Sequence, residues 1–109
     1  MTYVIRFEPE LGFRDIALYL KKIKSPVRLE IGDKITLSLA SFDRSLGADK
    51  DYIIELVERL LERSIYPFKY RAFFEISDIV YNHGLYDDDD DDYDEFNFHG
   101  IITLKGKQE

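Results

Sequence analysis

Six consecutive aspartates, Asp87, Asp88, Asp89, Asp90, Asp91 and Asp92, constrain this chain more than any other stretch of it. Neighbouring carboxylates repel one another, and Asp is a poor former of helix and strand, so no core element runs through them. Residues 82 to 95 are therefore expected to form an acidic loop, with the core built from what precedes and follows it. The loop is not purely charged. Tyr86 stands before the run, and Tyr93, Asp94, Glu95 and Phe96 follow it, so that flat aromatic side chains bracket the carboxylates.

The net charge of -7 gains meaning once it is located. Residues 1 to 71 hold 13 Lys or Arg against 11 Asp or Glu, whereas residues 72 to 104 hold 10 acidic residues and no basic one. Charge gathered in one segment points to an interaction site more than to general solubility. Direct binding of nucleic acid is disfavoured, because phosphates need a basic footprint. A basic protein partner is favoured.

At 109 residues, 45% of them hydrophobic, the chain has the size and material of a single domain spanning 1–109. It has no cysteine, which excludes disulfides and thiolate metal sites. Met1 to Glu8 lacks the basic start and apolar run of a signal peptide, and no apolar stretch reaches the roughly 20 residues that cross a bilayer. The expected location is the cytoplasm, away from membranes.

Hydrophobic period supplies the elements. Tyr3, Ile5 and Phe7 alternate with Val4, Arg6 and Glu8, a half-buried strand that Pro9 ends. Phe13, Ile16, Ala17, Leu20 and Ile23 form a helical stripe, with Lys21, Lys22 and Lys24 at its C-terminal end and Pro26 beyond. Val27, Leu29 and Ile31, the turn Gly32-Asp33, then Ile35, Leu37 and Leu39 read as a β-hairpin. Asp49 or Asp51 is placed to cap a helix bearing Ile53, Leu56, Val57, Leu60, Leu61 and Ile65, which Pro67 closes. Phe68 to Ile76 alternates as a strand, a helix over Pro67 to Gly84 being the alternative; Phe96, Phe98, Ile102 and Leu104 fit a last strand, with Gly100 as a candidate bulge.

This order predicts an α+β domain: a ferredoxin-like βαββαβ sheet with two helices on one face and an added C-terminal strand. The last two strands would pair as a hairpin that presents the acidic loop. Fold alone assigns no activity.

Chemistry-bearing motifs are few. Starting a calcium loop at Asp87 puts Asp92 and Phe98 where Gly and Glu belong, so no ordered metal site and no cofactor is expected. His83 and His99 flank the acidic run and read as structural residues, in a turn and a strand respectively. No nucleophile elbow, zinc-binding helix or phosphate-binding glycine loop occurs, and an enzyme is not expected. Arg71-Ala72-Phe73-Phe74-Glu75-Ile76 is similar to the aromatic strand of RNA-recognition domains, but Ile35 to Leu39 lacks the companion aromatic, so Phe73 and Phe74 read as cover and core.

Over its last quarter, Tyr93-Asp94-Glu95-Phe96 leading into Ile102-Thr103-Leu104-Lys105 resembles the ending of some phage-encoded DNA-mimic inhibitors, in particular anti-CRISPR proteins acting on Cas9-type nucleases. The resemblance implies that the carboxylates of Asp87 to Asp92, Asp94 and Glu95 take the place of phosphates in a basic channel, with Tyr86, Tyr93 and Phe96 as anchors. Two other readings fit the same residues. One is an immunity protein or antitoxin that plugs a nuclease toxin; the other is a ferredoxin-like regulatory or assembly domain with a passive acidic loop and a homodimeric sheet edge.

Overall fold

In a computed structural model, the described residues are 1–81 and 98–107. Their strands are β1 (Thr2–Phe7), β2 (Ile23–Lys24), β3 (Lys34–Leu37), β4 (Pro67–Phe68), β5 (Arg71–Tyr81) and β6 (Gly100–Lys105), with helices α1 (Arg14–Ala17) and α2 (Lys50–Arg63). They form one sheet in the order β2-β1-β6-β5-β3, with β4 also on β5. The central pair, β1 and β6, is parallel, Tyr3 lying beside Gly100 and Phe7 beside Leu104; the other pairs are antiparallel.

Alternation sorts the sheet into two faces. Tyr3, Ile5 and Phe7 of β1, Ile35 and Leu37 of β3, Ala72, Phe74 and Ile76 of β5, and Ile102 and Leu104 of β6 are all buried. Ile16 of α1 and Ile53, Leu56, Val57 and Leu60 of α2 close the same core, so both helices serve one face. The molecule is thus an α+β fold. Asp49 accepts a hydrogen bond from the Tyr52 N–H at 2.7 Å and starts α2, as its sequence predicts.

The ferredoxin-like order depended on a hairpin from Val27 to Leu39, and the structure corrects it. Val27 and Ile31 are 63% and 66% exposed and belong to no strand. The Gly32-Asp33 turn does form: the Asp33 N–H donates to Glu30 O at 3.1 Å, and the Asp33 carboxylate accepts from the Glu30 N–H at 2.9 Å. It delivers β3 onto β5 instead, through Gly32 N–H to Ile76 O at 2.9 Å and Ile76 N–H to Asp33 O at 2.8 Å. A long central strand with an apolar inward face outcompetes a short local one.

The helix expected from Phe13 to Ile23 is likewise cut to four residues. Beyond Ala17 the backbone turns to tertiary partners: Lys21 N–H donates to Ser41 O at 2.8 Å, Asp43 N–H to Tyr19 O at 2.7 Å, and Leu20 bridges Phe42. Leu18, on the stretch where the stripe would continue, is 74% exposed. Helix propensity is a weak prior, and sheet-like pairing overrides it here.

Arg59 of α2 donates to the Asp15 carboxylate of α1 at 2.8 Å, which holds that carboxyl below its ordinary value of 3.8. Both side chains are roughly half exposed, so the pair is worth at most about 1 kcal/mol. Asp15→Asn should cost about 0.5 kcal/mol at neutral pH. Because the folded-state pKa is the lower one, the difference between wild type and variant is full above pH 3.8 and vanishes as pH falls through the lowered value, a trend that urea denaturation at several pH values reads directly.

Candidate interaction site at the base of the acidic segment

The segment that carries Tyr86, Asp87, Asp88, Asp89, Asp90, Asp91, Asp92, Tyr93, Asp94, Glu95 and Phe96 lies outside the described residues, as does His83. What is described is its mounting. β5 and β6 pair as the expected antiparallel hairpin, Tyr81 sits opposite Gly100, and the acidic connection therefore leaves and re-enters the sheet at adjacent positions.

The phase of that hairpin is set by a bulge between Ile76 and Asp78, where Ser77 is the extra residue; the expectation of a bulge at Gly100 is corrected. Strict alternation from Phe74 and Ile76 would send Asp78 and Val80 into the core. With one residue bulged, Asp78 pairs with Thr103 and Val80 with Ile101 on the outer face, while Ile79 and Tyr81 return to the core side. Ser77 Oγ donates to Thr103 O at 3.3 Å. Gly100 has a different duty: a Cβ there would meet the Val80 carbonyl oxygen at 2.9 Å, so the closing pair tolerates no side chain at that position.

A collar of aromatic and cationic groups surrounds the two strand ends. His99 stands edge-on between Tyr3 (ring centroids 5.4 Å apart) and Tyr81 (5.5 Å), and its backbone N–H donates to Thr2 O at 2.6 Å. Its Nε2 is buried and has no hydrogen-bond partner among the described residues. Tyr3 Oη accepts from the Leu29 N–H at 3.0 Å, which ties the irregular 27–31 stretch to the same place. The Arg28 guanidinium lies 4.4 Å from the Tyr81 ring centroid and donates through Nε to the Tyr81 hydroxyl at 3.2 Å; that bond raises the pKa of a group already always charged. Lys22 Nζ lies 5.9 Å from the Phe98 ring centroid.

No family model, curated protein or solved structure matches this chain. The site therefore has to be read from its own residues. Among the described residues no group of three or more His, Cys, Asp or Glu side chains is placed to hold a metal ion, and no helix is long and apolar enough to cross a membrane. His99 is brought to the base of the segment as a half-buried packing residue.

Charge division sharpens the picture. The described residues contain all 15 Lys and Arg but only 13 Asp and Glu, so the folded body is weakly basic, and eight carboxylates sit between Tyr86 and Phe96. Glu75, one of the two described acids of residues 72 to 104, is used internally: Lys105 donates to it at 2.9 Å, Lys34 stands at 3.9 Å, and its carboxyl is held below the usual range chiefly by the Lys105 bond. Sequence reasoning missed the collar. Tyr3, Arg28, Tyr81 and His99 come from four separate stretches, and only strand register brings them together.

Proposed function

We propose that this chain is a non-catalytic acidic inhibitor that binds the nucleic-acid channel of a basic nuclease in place of DNA, as an anti-CRISPR protein does to a Cas9-type effector in the cytoplasm of a bacterial host. The observation that carries the reading is the segregation of charge: eight carboxylates are confined to one segment whose ends are fixed at Tyr81 and Gly100, while the rest of the fold is slightly basic. Nothing in the packing of the described core calls for that segment, so its composition is free to serve a partner.

The chemistry follows from spacing. An extended chain advances by roughly 3.3 Å per residue, with side chains alternating between its two sides, and phosphates of one DNA strand advance by ~3.4 Å along the helix axis, so the Asp run carries about the same negative charge per unit length. Arginines placed to grip phosphates pair with carboxylates through two parallel N–H···O bonds. The concentrated charge steers encounter with a positive channel, and Tyr86, Tyr93 and Phe96 supply contact area that charge alone does not.

The test is displacement. Added to a Cas9-type nuclease loaded with guide and a labelled target duplex, or to other basic nucleases, the chain should compete the duplex off in proportion to its concentration, and less well as salt rises. A complex in which chain and duplex are bound together, or absence of binding to every basic nuclease tried at low salt, rules the mimicry out.

A further inference from the structure

The two ends of the sheet curl toward each other across a cleft of about 320 Å³, lined on one side by Ile5, Lys21 and Lys22 and on the other by Lys34, Thr36 and Ser41. Among the described residues no Asp or Glu lines it. Among the described residues no strand pairs with the outer edge of β3, which forms one wall, and hydrogen-bond phase shows which of its backbone groups are involved.

On the β1 side, Ser25 N–H donates to Met1 O at 2.7 Å and Tyr3 pairs with Ile23, so the odd-numbered residues of β1 turn their backbone groups toward β2. The next partner for Ile5 would be Lys21. The Lys21 N–H goes instead to Ser41 O at 2.8 Å, which ends the ladder and opens the cleft. On the β3 side, Ile76 N–H donates to Asp33 O at 2.8 Å, which sets the odd-numbered residues of β3 toward β5. The N–H and C=O of Lys34 and Thr36 therefore face away from β5, along the terminal edge of the sheet.

Such an edge is a template for another strand, and proteins that do not use one usually cover or blunt it. We propose that this cleft receives an extended acidic peptide of a partner protein, which adds as a strand to the free edge of β3 and places its carboxylates at Lys21 and Lys34. Backbone pairing with Lys34 and Thr36 supplies affinity that any extended peptide shares, and the lysines select for negative charge. A peptide uses both features, whereas a nucleic acid uses only the charge. The proposal does not depend on the inhibitor reading.

Amide exchange by NMR on the full chain tests this, with a synthetic nine-residue peptide of alternating Asp and Val as the probe. At saturation, exchange of the Lys34 and Thr36 amides should slow at least tenfold, and the Lys21→Glu, Lys34→Gln double variant should bind at least tenfold more weakly. Lys107→Glu, an exposed lysine outside the cleft, should leave binding unchanged. Thr36→Pro deletes an N–H that β5 does not use and should abolish binding with the sheet retained; if that variant fails to fold, the lysine variants decide. The proposal is overturned by unchanged amide exchange, by equal binding of the same peptide with Lys for Asp, or by an oligonucleotide that protects the same amides equally well. A variant with Asn at Asp87 to Asp92 that binds the probe more than tenfold better than wild type assigns the cleft to the chain's own acidic run, and equally overturns a partner peptide as its occupant.

Discussion

Replacing Asp87 to Asp92 together by Asn should lower affinity for the basic partner by at least a hundredfold and leave the folded body as stable as before. The size follows from a conservative count. A hydrogen bond to a charged group is worth about 1.5–3 kcal/mol, so if only two of the six carboxylates meet arginines in the channel, about 3 kcal/mol is lost, which is two orders of magnitude in the dissociation constant. Stability is spared because the cluster that closes the core of the described residues draws on β1, β3, β5, β6 and both helices. Relief of repulsion among six adjacent charges acts, if anything, in the stabilising direction. Isothermal titration at two ionic strengths separates the contributions: the wild type should weaken steeply as salt rises, and the Asn variant should bind weakly with little salt dependence. Equal affinities for the two proteins would make the acidic run a solvated loop and turn attention to the sheet edge.

The parts of this fold that were legible in sequence are those decided locally. Asp49 and the stripe from Ile53 to Leu61 define most of α2, which ends at Arg63, before the expected Ile65 and Pro67, because the Ile65 N–H donates to Phe73 O. The strand reading of Phe68 to Ile76 holds from Arg71 onward, where Phe74 and Ile76 alternate with Phe73 and Glu75 in a run of aromatic and branched residues that a helix accommodates less well, whereas Phe68 pairs back on Arg71 across a turn at Lys69 and Tyr70. Val27 to Leu39 shows the opposite case. Its turn was real and its second half became β3, but Val27 to Ile31 forms no strand, because alternation does not say which partner a strand joins, and β3 went to β5, far along the chain. The stripe after Ala17 failed for a related reason, since Leu20 and Ile23 suit a helix face and a strand bridge equally, and the Ser41 carbonyl decides between them. For the candidate site, the sequence held the chemistry of the acidic segment, and the structure adds its anchorage. The collar of Tyr3, Arg28, Tyr81 and His99 was invisible because no local pattern links residues whose only common feature is a position in the register.

The largest effect on stability is expected at Phe74. Its side chain is fully buried and meets Phe7 and Phe13 edge-on, with ring centroids 5.5 Å and 6.4 Å away, while Phe7 and Phe13 are themselves 5.3 Å apart. Phe74→Ala removes one corner of this triangle and leaves a cavity that the surrounding strands fill only partly, a change that costs about 3–5 kcal/mol. A domain of this length has roughly 5–15 kcal/mol in total, so the variant loses a large share of it, and its urea midpoint should drop by about a fifth or more at constant slope. Phe73, the preceding residue, faces outward and stacks on Tyr66 at 4.5 Å with an interplanar angle of 17°, so Phe73→Ala should cost only about 0.5–1.5 kcal/mol. The comparison tests the phase of β5 itself, because a one-residue slip would exchange the two costs. It also bears on function. β5 carries the acidic segment at its far end, past the Ser77 bulge, so in Phe74→Ala the partner should bind with its usual affinity to whatever fraction is folded, and binding should raise the apparent midpoint of the variant by mass action. Loss of affinity beyond the unfolded fraction would mean that the core and the segment's anchorage are coupled through the strand.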